Sequence, residues 1–268
     1  MGGGGGSGAD LSSVIASTCM DLDSTNALSY TSGTTWKNLV AAPADCAAKT
    51  DYDFFRGTDG STDAPTFTGS AGTTGAYWAL NGTYFTIKSG TNTPLFNNMH
   101  KTSGTPTPLW FAFAGRSPAS GTGAFGGTGA TNSGEYAMDW EMQTNLKPGI
   151  QQTNNGATVI QASTAALSGT TDSIFIVSCD CTLTTNSVRF WINSRTKEEK
   201  NVTFGSASAD ATHPMMLAGV WNHLQTGVSG ALGTWRARTF AAGNAFIDDA
   251  TAAIIFNTLN TRHALTYA

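Results

Sequence analysis

The hydrophobic residues of Ala76–Ile87 fall in two short runs on either side of a strong turn signal. The segment reads Ala-Tyr-Trp-Ala-Leu-Asn-Gly-Thr-Tyr-Phe-Thr-Ile, so two β-prone runs flank Asn81-Gly82. An Asn-Gly pair in this setting predicts a two-residue hairpin. In that hairpin Trp78 pairs with Phe85, and cross-strand partners share a face. The shared face is apolar and requires a second layer to cover it; its residues are Trp78, Leu80, Phe85 and Ile87.

Further apolar runs predict the other strands of an antiparallel structure. Leu109–Ala114 is nearly continuous in apolar residues, which is typical of a strand buried on both faces. Ser173–Cys179 is the clearest central strand, and Val188–Asn193 predicts another. The shorter predicted strands are Asp21–Asp23, Tyr136–Gln143, Thr158–Ala162, Val202–Phe204 and Met215–Val220.

Three other segments are interpreted from their composition. Trp235–Phe240 alternates arginines with apolar residues, which predicts an outer strand whose charges discourage edge pairing. Ser117–Gly134 consists largely of Gly, Ser, Thr and Ala around a single Phe125, and it predicts a loop that is either mobile or pressed against a partner. The charges of Lys197–Lys200 predict a solvated loop or a sheet edge.

The C-terminal region departs from the β pattern. Asp248 or Asp249 can cap a helix that continues to about Leu265. Arg262 and His263 fall in its last turn, where positive charge complements the helix dipole. The predicted helix has apolar positions spaced close to i, i+3, i+4 and i+7: Ala252, Ile255, Phe256, Leu259 and Ala264.

Composition and charge support a β protein and exclude some partners. Among 268 residues only 12% are charged, which favours strands and turns over surface helices. The formal net charge of −4 provides no electrostatic footprint for nucleic acid or an acidic membrane. No apolar run approaches 18 residues, so no membrane-spanning helix is expected.

The N-terminus is glycine-rich and has two interpretations. Gly2–Gly6 follow Met1, without the basic and apolar regions of a signal peptide. The segment is either a flexible arm or cloning remnant, or an assembly arm that becomes ordered against a partner. We therefore divide the chain into an arm over residues 1–17 and a single domain over residues 18–268. The proposed assembly contacts are Gly2, Gly3, Gly4, Gly5 and Gly6.

Metal, cofactor and nucleophile motifs are not evident in the sequence. The cysteines lack the C-x-x-C spacing of zinc sites, and we expect them to be reduced thiols. The Asp59–Asp63 loop is a weak candidate for calcium. Gly126–Gly129 lacks the lysine and the helix of a P-loop, and the histidines have no nucleophile partner. We therefore predict no metal and no cofactor.

The order of several short motifs resembles concanavalin A-like (laminin G-like) jelly-roll domains. The opening half carries the matching elements Asp21–Asp23, Ser29-Tyr30, Thr34–Leu39, Pro65–Phe67 and Leu80–Thr83. In the later half, Phe190–Asn193 is similar to the strand that these domains end in an Asn-Gly turn. Trp235–Phe240, followed by the Asp249–Leu265 helix, is similar to the closing strand and helix of the versions found in phage structural proteins.

The resemblance implies an all-β fold over roughly residues 18–265. The expected architecture is an antiparallel two-sheet β-sandwich of the jelly-roll type, with one short C-terminal helix and an extended N-terminal arm. The sequence departs from the family pattern at Val40–Ala48, which replaces a Gly-Asn-rich tract. It departs again at Asn193, which Ser194 follows in place of glycine.

Some members of the resembled fold class are β-glucanases with a Glu-x-Asp-x-Glu strand motif. The nearest match here is Ala137–Glu141. Asp139 and Glu141 are expected to share a face about 7 Å apart. Ala137, however, occupies the position of the nucleophile, and Glu135 is one step too far along that face. Retaining hydrolysis therefore looks disabled, and we predict that the chain is not an enzyme.

Glycan binding generally uses exposed aromatic rings beside amide groups. The candidate residues are Tyr84, Trp140, Trp221, Asn222 and His223. The alternative is that the tryptophans lie in the core of the sandwich, as most do in two-layer folds.

The leading functional hypothesis is a structural protein of a phage virion, either a head decoration or a head or tail appendage. It predicts virion localisation after assembly in the host cytoplasm. The expected partners are other virion proteins and copies of the same chain, with no nucleic acid and no membrane. A glycan-binding adhesin that recognises surface glycans is the second hypothesis, and a polysaccharide hydrolase is the third.

Overall fold

The computed structural model describes residues 10–57, 64–118, 120–129, 133–221, 228–229 and 234–267, with backbone only at 221, 228 and 229. The described strands are β1 (Thr18–Asp23), β2 (Thr35–Trp36), β3 (Phe54–Arg56), β4 (Thr66–Thr68), β5 (Tyr77–Leu80), β6 (Phe85–Ile87), β7 (Leu109–Arg116), β8 (Gly123–Gly127), β9 (Tyr136–Gln143), β10 (Lys147–Asn154), β11 (Ala157–Ala162), β12 (Ser173–Cys179), β13 (Val188–Ile192), β14 (Glu198–Lys200), β15 (Met216–Leu217), β16 (Val220–Trp221), β17 (Val228–Ser229) and β18 (Trp235–Gly243). The helices are α1 (Pro94–Asn98) and α2 (Asp249–Arg262).

The strands form an antiparallel two-sheet sandwich, as predicted. Sheet A has the order β14-β13-β12-β7-β18-β5-β4, and β1 also pairs with β18. Sheet B has the order β11-β10-β9-β8-β15-β6-β3-β2, while β16 and β17 form a separate pair. Neighbouring strands are often distant in sequence, so the chain crosses repeatedly between the two layers. Within the described residues, neither helix is long and apolar enough to cross a membrane.

The inner faces of both sheets meet in an aromatic core. Phe111 of β7 stacks on Trp140 of β9, with ring centroids 4.1 Å apart. Trp78 of β5 meets Phe85 of β6 edge-on at 5.2 Å. Such aromatic contacts add about 0.5–1.5 kcal/mol each beyond simple area burial. They fix how the two sheets lie on each other.

Helix α2 covers the outer face of sheet A and confirms the predicted C-terminal helix. Asp248 caps it, because its carboxylate accepts a 2.8 Å hydrogen bond from the backbone N–H of Thr251. Arg262 in its last turn donates to both oxygens of Asp21 at 2.8 and 3.0 Å. This ion pair ties the end of the helix to β1. The apolar side chains that pack under the helix are Trp110, Ala112, Ala114, Ile174, Ile176 and Ala241.

The predicted hairpin at Asn81-Gly82 is wrong, although the apolar face it proposed is buried. β5 lies in sheet A beside β4 and β18, and β6 lies in sheet B beside β3 and β15. Gly82 takes a φ of +69°, so the bend carries the chain from one layer to the other. Trp78 and Phe85 therefore meet across the sandwich, where both rings are buried between the two sheets.

One further strand prediction and one loop prediction also need correction. Trp235–Phe240 is not an outer strand, because β18 lies between β7 and β5. Its arginines alternate because they face outward from the sheet. The predicted loop Ser117–Gly134 contains β8, which pairs with β9 and β15 inside sheet B.

Glycines let β8 approach its neighbours closely. A Cβ atom on Gly127 would lie 1.9 Å from Oδ1 of Asp139, and one on Gly126 would lie 2.5 Å from the carbonyl oxygen of Met216. The small residues that indicated a loop are therefore required by the packing of a strand.

Among the remaining predictions, Leu109–Ala114, Ser173–Cys179, Val188–Asn193 and Tyr136–Gln143 are confirmed as strands, with shifts of a few residues at their ends. β10 was not predicted. Val202–Phe204 is not a strand, because Ser187 satisfies both the N–H and the carbonyl of Val202 through its hydroxyl.

Candidate functional site

Two of the predicted glycan-binding aromatics lie in the core. Trp140 is 1% exposed and stacks on Phe111. Tyr84 is 7% exposed and packs with the same hydrophobic cluster. Because neither ring presents a face to solvent, burial removes both from the predicted platform and bears out the alternative of core residues.

The other residues predicted for binding or assembly are only partly covered by the structure. Trp221 belongs to β16, but its side chain lies outside the described residues, as do Asn222 and His223. Gly2–Gly6 and the Asp59–Asp63 loop also lie outside them. These assignments remain predictions.

The carboxyl groups of β9 lie on the outer face of sheet B. Met138, Trp140 and Met142 point into the core, so Asp139 and Glu141 point the opposite way. Asp139 is nevertheless only 2% exposed. Burial, followed by the nearby Glu141, raises the pKa of Asp139 well above its usual value.

Glu141 also keeps its proton to a higher pH than an exposed glutamate does. Burial raises the pKa of its carboxyl group to about 7. The side-chain amide of Gln143 donates to it. Further along the strand, Glu135 contacts His213 at 3.1 Å, and both side chains are buried. Within the described part of the chain, no group of three or more His, Cys, Asp or Glu residues is arranged to hold a metal ion.

A different cluster of charges lies on the outer face of sheet A, where β7 ends and β18 begins. Arg116 and Arg236 are direct cross-strand partners in the register of these strands. Just beyond them the register shifts between Ala237 and Thr239, which places a β-bulge at Arg238. Bulges re-aim side chains and are frequent beside binding sites.

The backbone at this point is unusually close-packed. A Cβ atom on Gly115 would lie 2.1 Å from the carbonyl oxygen of Arg236. Glycine is therefore required for β7 and β18 to approach each other next to the two arginines.

Asp172 provides the negative charge of this cluster. Its Oδ2 lies 2.7 Å from Arg238, and its Oδ1 lies 3.4 Å from Nε of Arg116. The guanidinium of Arg236 instead stacks over the Tyr77 ring, 4.7 Å from its centroid. Among the described contacts, Arg116 and Arg238 therefore share one carboxylate while Arg236 lies beside them without one, and the cluster is locally positive although the whole chain is acidic.

The arginine pair opens into a cavity of about 540 Å³. This volume is within the usual range of small-molecule sites. We call it the arginine cavity. The described residues that line it are Arg116, Ser117, Pro118, Ser120, Gly169, Thr234, Trp235 and Arg236.

A second cavity of about 420 Å³ adjoins the first, because Ser120 lines both. We call it the asparagine cavity. Asn145 and Leu146 in its wall have φ values of 63° and 60°. Such left-handed backbone is costly for a leucine and tends to occur at functional sites. The other described lining residues are Gly121, Thr122 and Thr144.

Together the two cavities offer polar groups beside apolar surface. Guanidinium, hydroxyl and amide groups converge on connected space, so the arrangement is suited to binding a polar ligand with some negative charge. The sequence analysis noticed the alternating arginines of β18 but attributed them to an edge strand. Their meaning depends on the register with β7, which the sequence does not specify.

The comparisons with known proteins show the fold. The sequence matches no protein-family model and resembles no curated protein sequence. Trypanosoma rangeli sialidase in complex with sialic acid matches with a TM-score of 0.57 and 10% identity, over 94% of this chain and 34% of that chain. The CBM40 of Ruminococcus gnavus IT-sialidase bound to alpha2,3 sialyllactose matches with a TM-score of 0.44 and 11% identity, over 57% of this chain and 83% of that one. The chain thus spans about a third of the T. rangeli sialidase and shares a β-sandwich fold with that part.

Proposed function

We propose that this chain is a non-catalytic carbohydrate-binding module whose site is formed by the arginine cavity and the asparagine cavity. The observation that carries the proposal is that Ser120 lines both cavities, so the two spaces adjoin and can act as one groove. A groove of this kind can accommodate more than one sugar unit.

The chemistry of the lining suits a polyhydroxylated ligand. Sugar hydroxyls need several convergent hydrogen-bond partners, because each unsatisfied polar group that is buried on binding lowers the affinity. Here hydroxyl side chains occur in both cavities, and Asn145 adds an amide.

The scaffold supports binding without large rearrangement. β7 and β18 are interior strands of sheet A, and their inner faces pack into the aromatic core. A site built on such strands is held more firmly than one built on loops alone. The T. rangeli sialidase was solved with sialic acid, and carbohydrate is the ligand class that we propose for this chain.

A glycan microarray followed by calorimetric titration tests the proposal. Asn145→Gly removes the amide, and glycine accepts the left-handed backbone at this position. We expect the variant to keep its fold and to bind glycan about tenfold more weakly, the typical effect of losing one hydrogen bond to a ligand.

Asn186→Gly is the matched control. Asn186 also has a left-handed backbone, with a φ of 50°, but it lies outside the lining of both cavities. The control is expected to bind like the wild type. Absence of any glycan binding by the wild type, or equal affinities for all three proteins, would contradict the proposed site.

A hydrolase is the second candidate, and the carboxyl groups of β9 are the observation that favours it. A carboxyl group with a pKa of about 7, such as that of Glu141, can act as a general acid near neutral pH. If this function holds, the wild type cleaves β-glucans and Glu141→Gln abolishes the cleavage. A β-glucan assay with no product from the wild type rejects this candidate.

Placement on a phage virion remains a prediction. β18 followed by α2 is the closing strand and helix that the resemblance relates to phage structural proteins. Co-purification with phage particles, or density for the chain in a particle reconstruction, would support a virion role. A stable monomer with no association to particles would count against it.

A further inference from the structure

We infer that Arg116 and Arg236 bind the carboxylate group of an acidic sugar. The inference rests on the proposed carbohydrate-binding function and specifies its ligand class. Both residues line the arginine cavity, and they lie directly opposite each other on β7 and β18.

The cross-strand register is the first argument. Two like charges that face each other across neighbouring strands repel and lower the stability of the sheet. Arg116 and Arg236 form such a pair. A bound anion between them converts this repulsion into two attractive interactions, so the pair is more favourable with a ligand than without one.

The distribution of partners is the second argument. Asp172 is held by Arg238 at 2.7 Å, while its nearest contact to Arg116 is a longer 3.4 Å approach. The described residues provide no carboxylate for Arg236, whose guanidinium lies over Tyr77. Arg116 remains 32% exposed at its side chain. N–H donors of both arginines therefore remain available to a ligand in the cavity.

Preorganisation is the third argument. The Tyr77 ring fixes the guanidinium of Arg236 from one side through a cation–π contact. Gly115 permits the close approach of the two strands that carry the arginines. Side chains that are already oriented lose less conformational entropy when a ligand binds.

The choice of a carboxylate follows from geometry and from the cluster itself. The planar guanidinium fork matches a carboxylate with two parallel hydrogen bonds. The same cluster already holds one carboxylate, that of Asp172, between Arg116 and Arg238. A sugar acid placed in the cavity would extend this arrangement to Arg236, with its hydroxyls facing Ser117, Ser120 and Thr234.

Matched ligands test the inference by titration calorimetry. Methyl β-glucuronide and methyl β-glucoside differ only in a carboxylate against a hydroxymethyl group, and a methyl glycoside of N-acetylneuraminic acid represents the sialic acids. We expect at least one of the two acidic sugars to bind about tenfold or more tightly than the glucoside. The acidic sugar that binds more tightly shows whether the site prefers the carboxylate of a uronic acid or that of a sialic acid.

Variants of Arg116 and Arg236 test whether these two residues cause the preference for the acidic sugar. Arg236→Gln and Arg116→Gln are each expected to weaken binding of the acidic sugar about tenfold or more, and to weaken binding of the neutral sugar clearly less. Arg236→Lys keeps the charge but loses the planar fork, so only part of the affinity should return. Circular dichroism and thermal melting confirm that each variant is folded.

Arg195→Gln is the matched control, because Arg195 bonds to Asn257 on α2 and lies outside the lining of the cavity. It is expected to bind both sugars like the wild type. Equal affinity for acidic and neutral sugars, or full binding by Arg236→Gln, overturns the carboxylate assignment while leaving the carbohydrate function intact. Binding to glucose 6-sulfate and to neither carboxylate sugar also overturns it. Failure of every sugar to bind overturns the proposed function itself.

Discussion

The two outer faces of the sandwich carry opposite charges in similar patterns, but the two kinds of charged group respond differently to burial. On β9 of sheet B, Asp139 and Glu141 alternate along the outer face. On β18 of sheet A, Arg236 and Arg238 follow a similar alternation. The carboxyl groups of β9 have raised pKa values, whereas the arginines gather around a cavity and a single carboxylate.

The chemistry of the two side chains explains the difference. A buried carboxyl group can take up a proton and become neutral, which relieves the cost of desolvation. An arginine stays charged at any ordinary pH, so it must find a partner or keep contact with water. The outer face of sheet B, whose carboxyl groups can become neutral, is therefore suited to a structural role. The outer face of sheet A, whose arginines stay charged, is suited to bind an anion.

Gly127→Ala gives the largest effect expected from this comparison. A Cβ atom at this position would lie 1.9 Å from Oδ1 of Asp139, so either the strand or the buried acid must move. We expect a loss of about 3 kcal/mol in the free energy of unfolding. Chemical denaturation measures it. Gly75→Ala is the control, since no atom lies within 4 Å of its added Cβ; equal stability of the two variants would contradict tight packing around Asp139.

The pH dependence of stability is the second prediction. The pKa of Glu141 rises to about 7 in the folded protein, above its value in the unfolded chain. The stability contributed by its protonated form is therefore complete below about pH 4.3 and is lost as the pH rises through 7. We expect the wild type to lose on the order of 2–3 kcal/mol between pH 5 and 8, with buried Asp139 acting in the same direction.

Glu141→Gln provides the control for that titration. Glutamine cannot ionise, so the variant should show a smaller fall in its free energy of unfolding over the same pH range. A wild-type stability that is flat or rises from pH 5 to 8 would contradict the assignment of neutral acids to this face.

Asp172→Asn is the third prediction and concerns the opposite face. It removes the one carboxylate that Arg116 and Arg238 share. We expect a loss of about 2 kcal/mol at low salt, less than for a fully buried pair because Arg116 is partly exposed. Added salt should restore part of this loss by screening the remaining positive charges. An unchanged denaturation curve would show that the carboxylate is not needed to balance the cluster.

Arg236→Gln is the smallest expected effect on stability. It removes one member of the like-charged pair with Arg116, so the free energy of unfolding should stay within about 0.5 kcal/mol of the wild type or rise slightly. Denaturation at low and high salt measures it. A large destabilisation would indicate that Arg236 serves the fold rather than a ligand.

The sequence predicted those elements whose signals are local. β12 and β7 are continuous apolar runs, and such runs must be buried wherever they occur. Helix α2 combines a capping aspartate with regular apolar spacing, so its start could be predicted within one residue. The two-sheet architecture followed from these runs together with the order of the family-like motifs.

Elements that depend on distant neighbours were mispredicted. Asn81-Gly82 encodes a reversal of the chain, but it does not encode whether the next strand joins the same sheet or the opposite one. β8 is rich in glycine because Asp139 and Met216 approach its backbone, and both requirements come from strands far away in sequence.

The candidate site was not predictable for the same reason. Its lining comes from Arg116, from Gly169 and from Thr234 to Arg236, which only the strand register brings together. The aromatic residues chosen from the sequence lie in the core instead, because a large ring gains more from burial between the sheets than from exposure.

A crystal structure of the protein soaked with the acidic sugar that binds best is the most direct test of the comparison between the two faces. The account predicts ligand density in the arginine cavity, with the sugar carboxylate bonded to the guanidinium groups of Arg116 and Arg236. Ligand density against Asp139 and Glu141 on sheet B, with an empty arginine cavity in the same crystal, would contradict it.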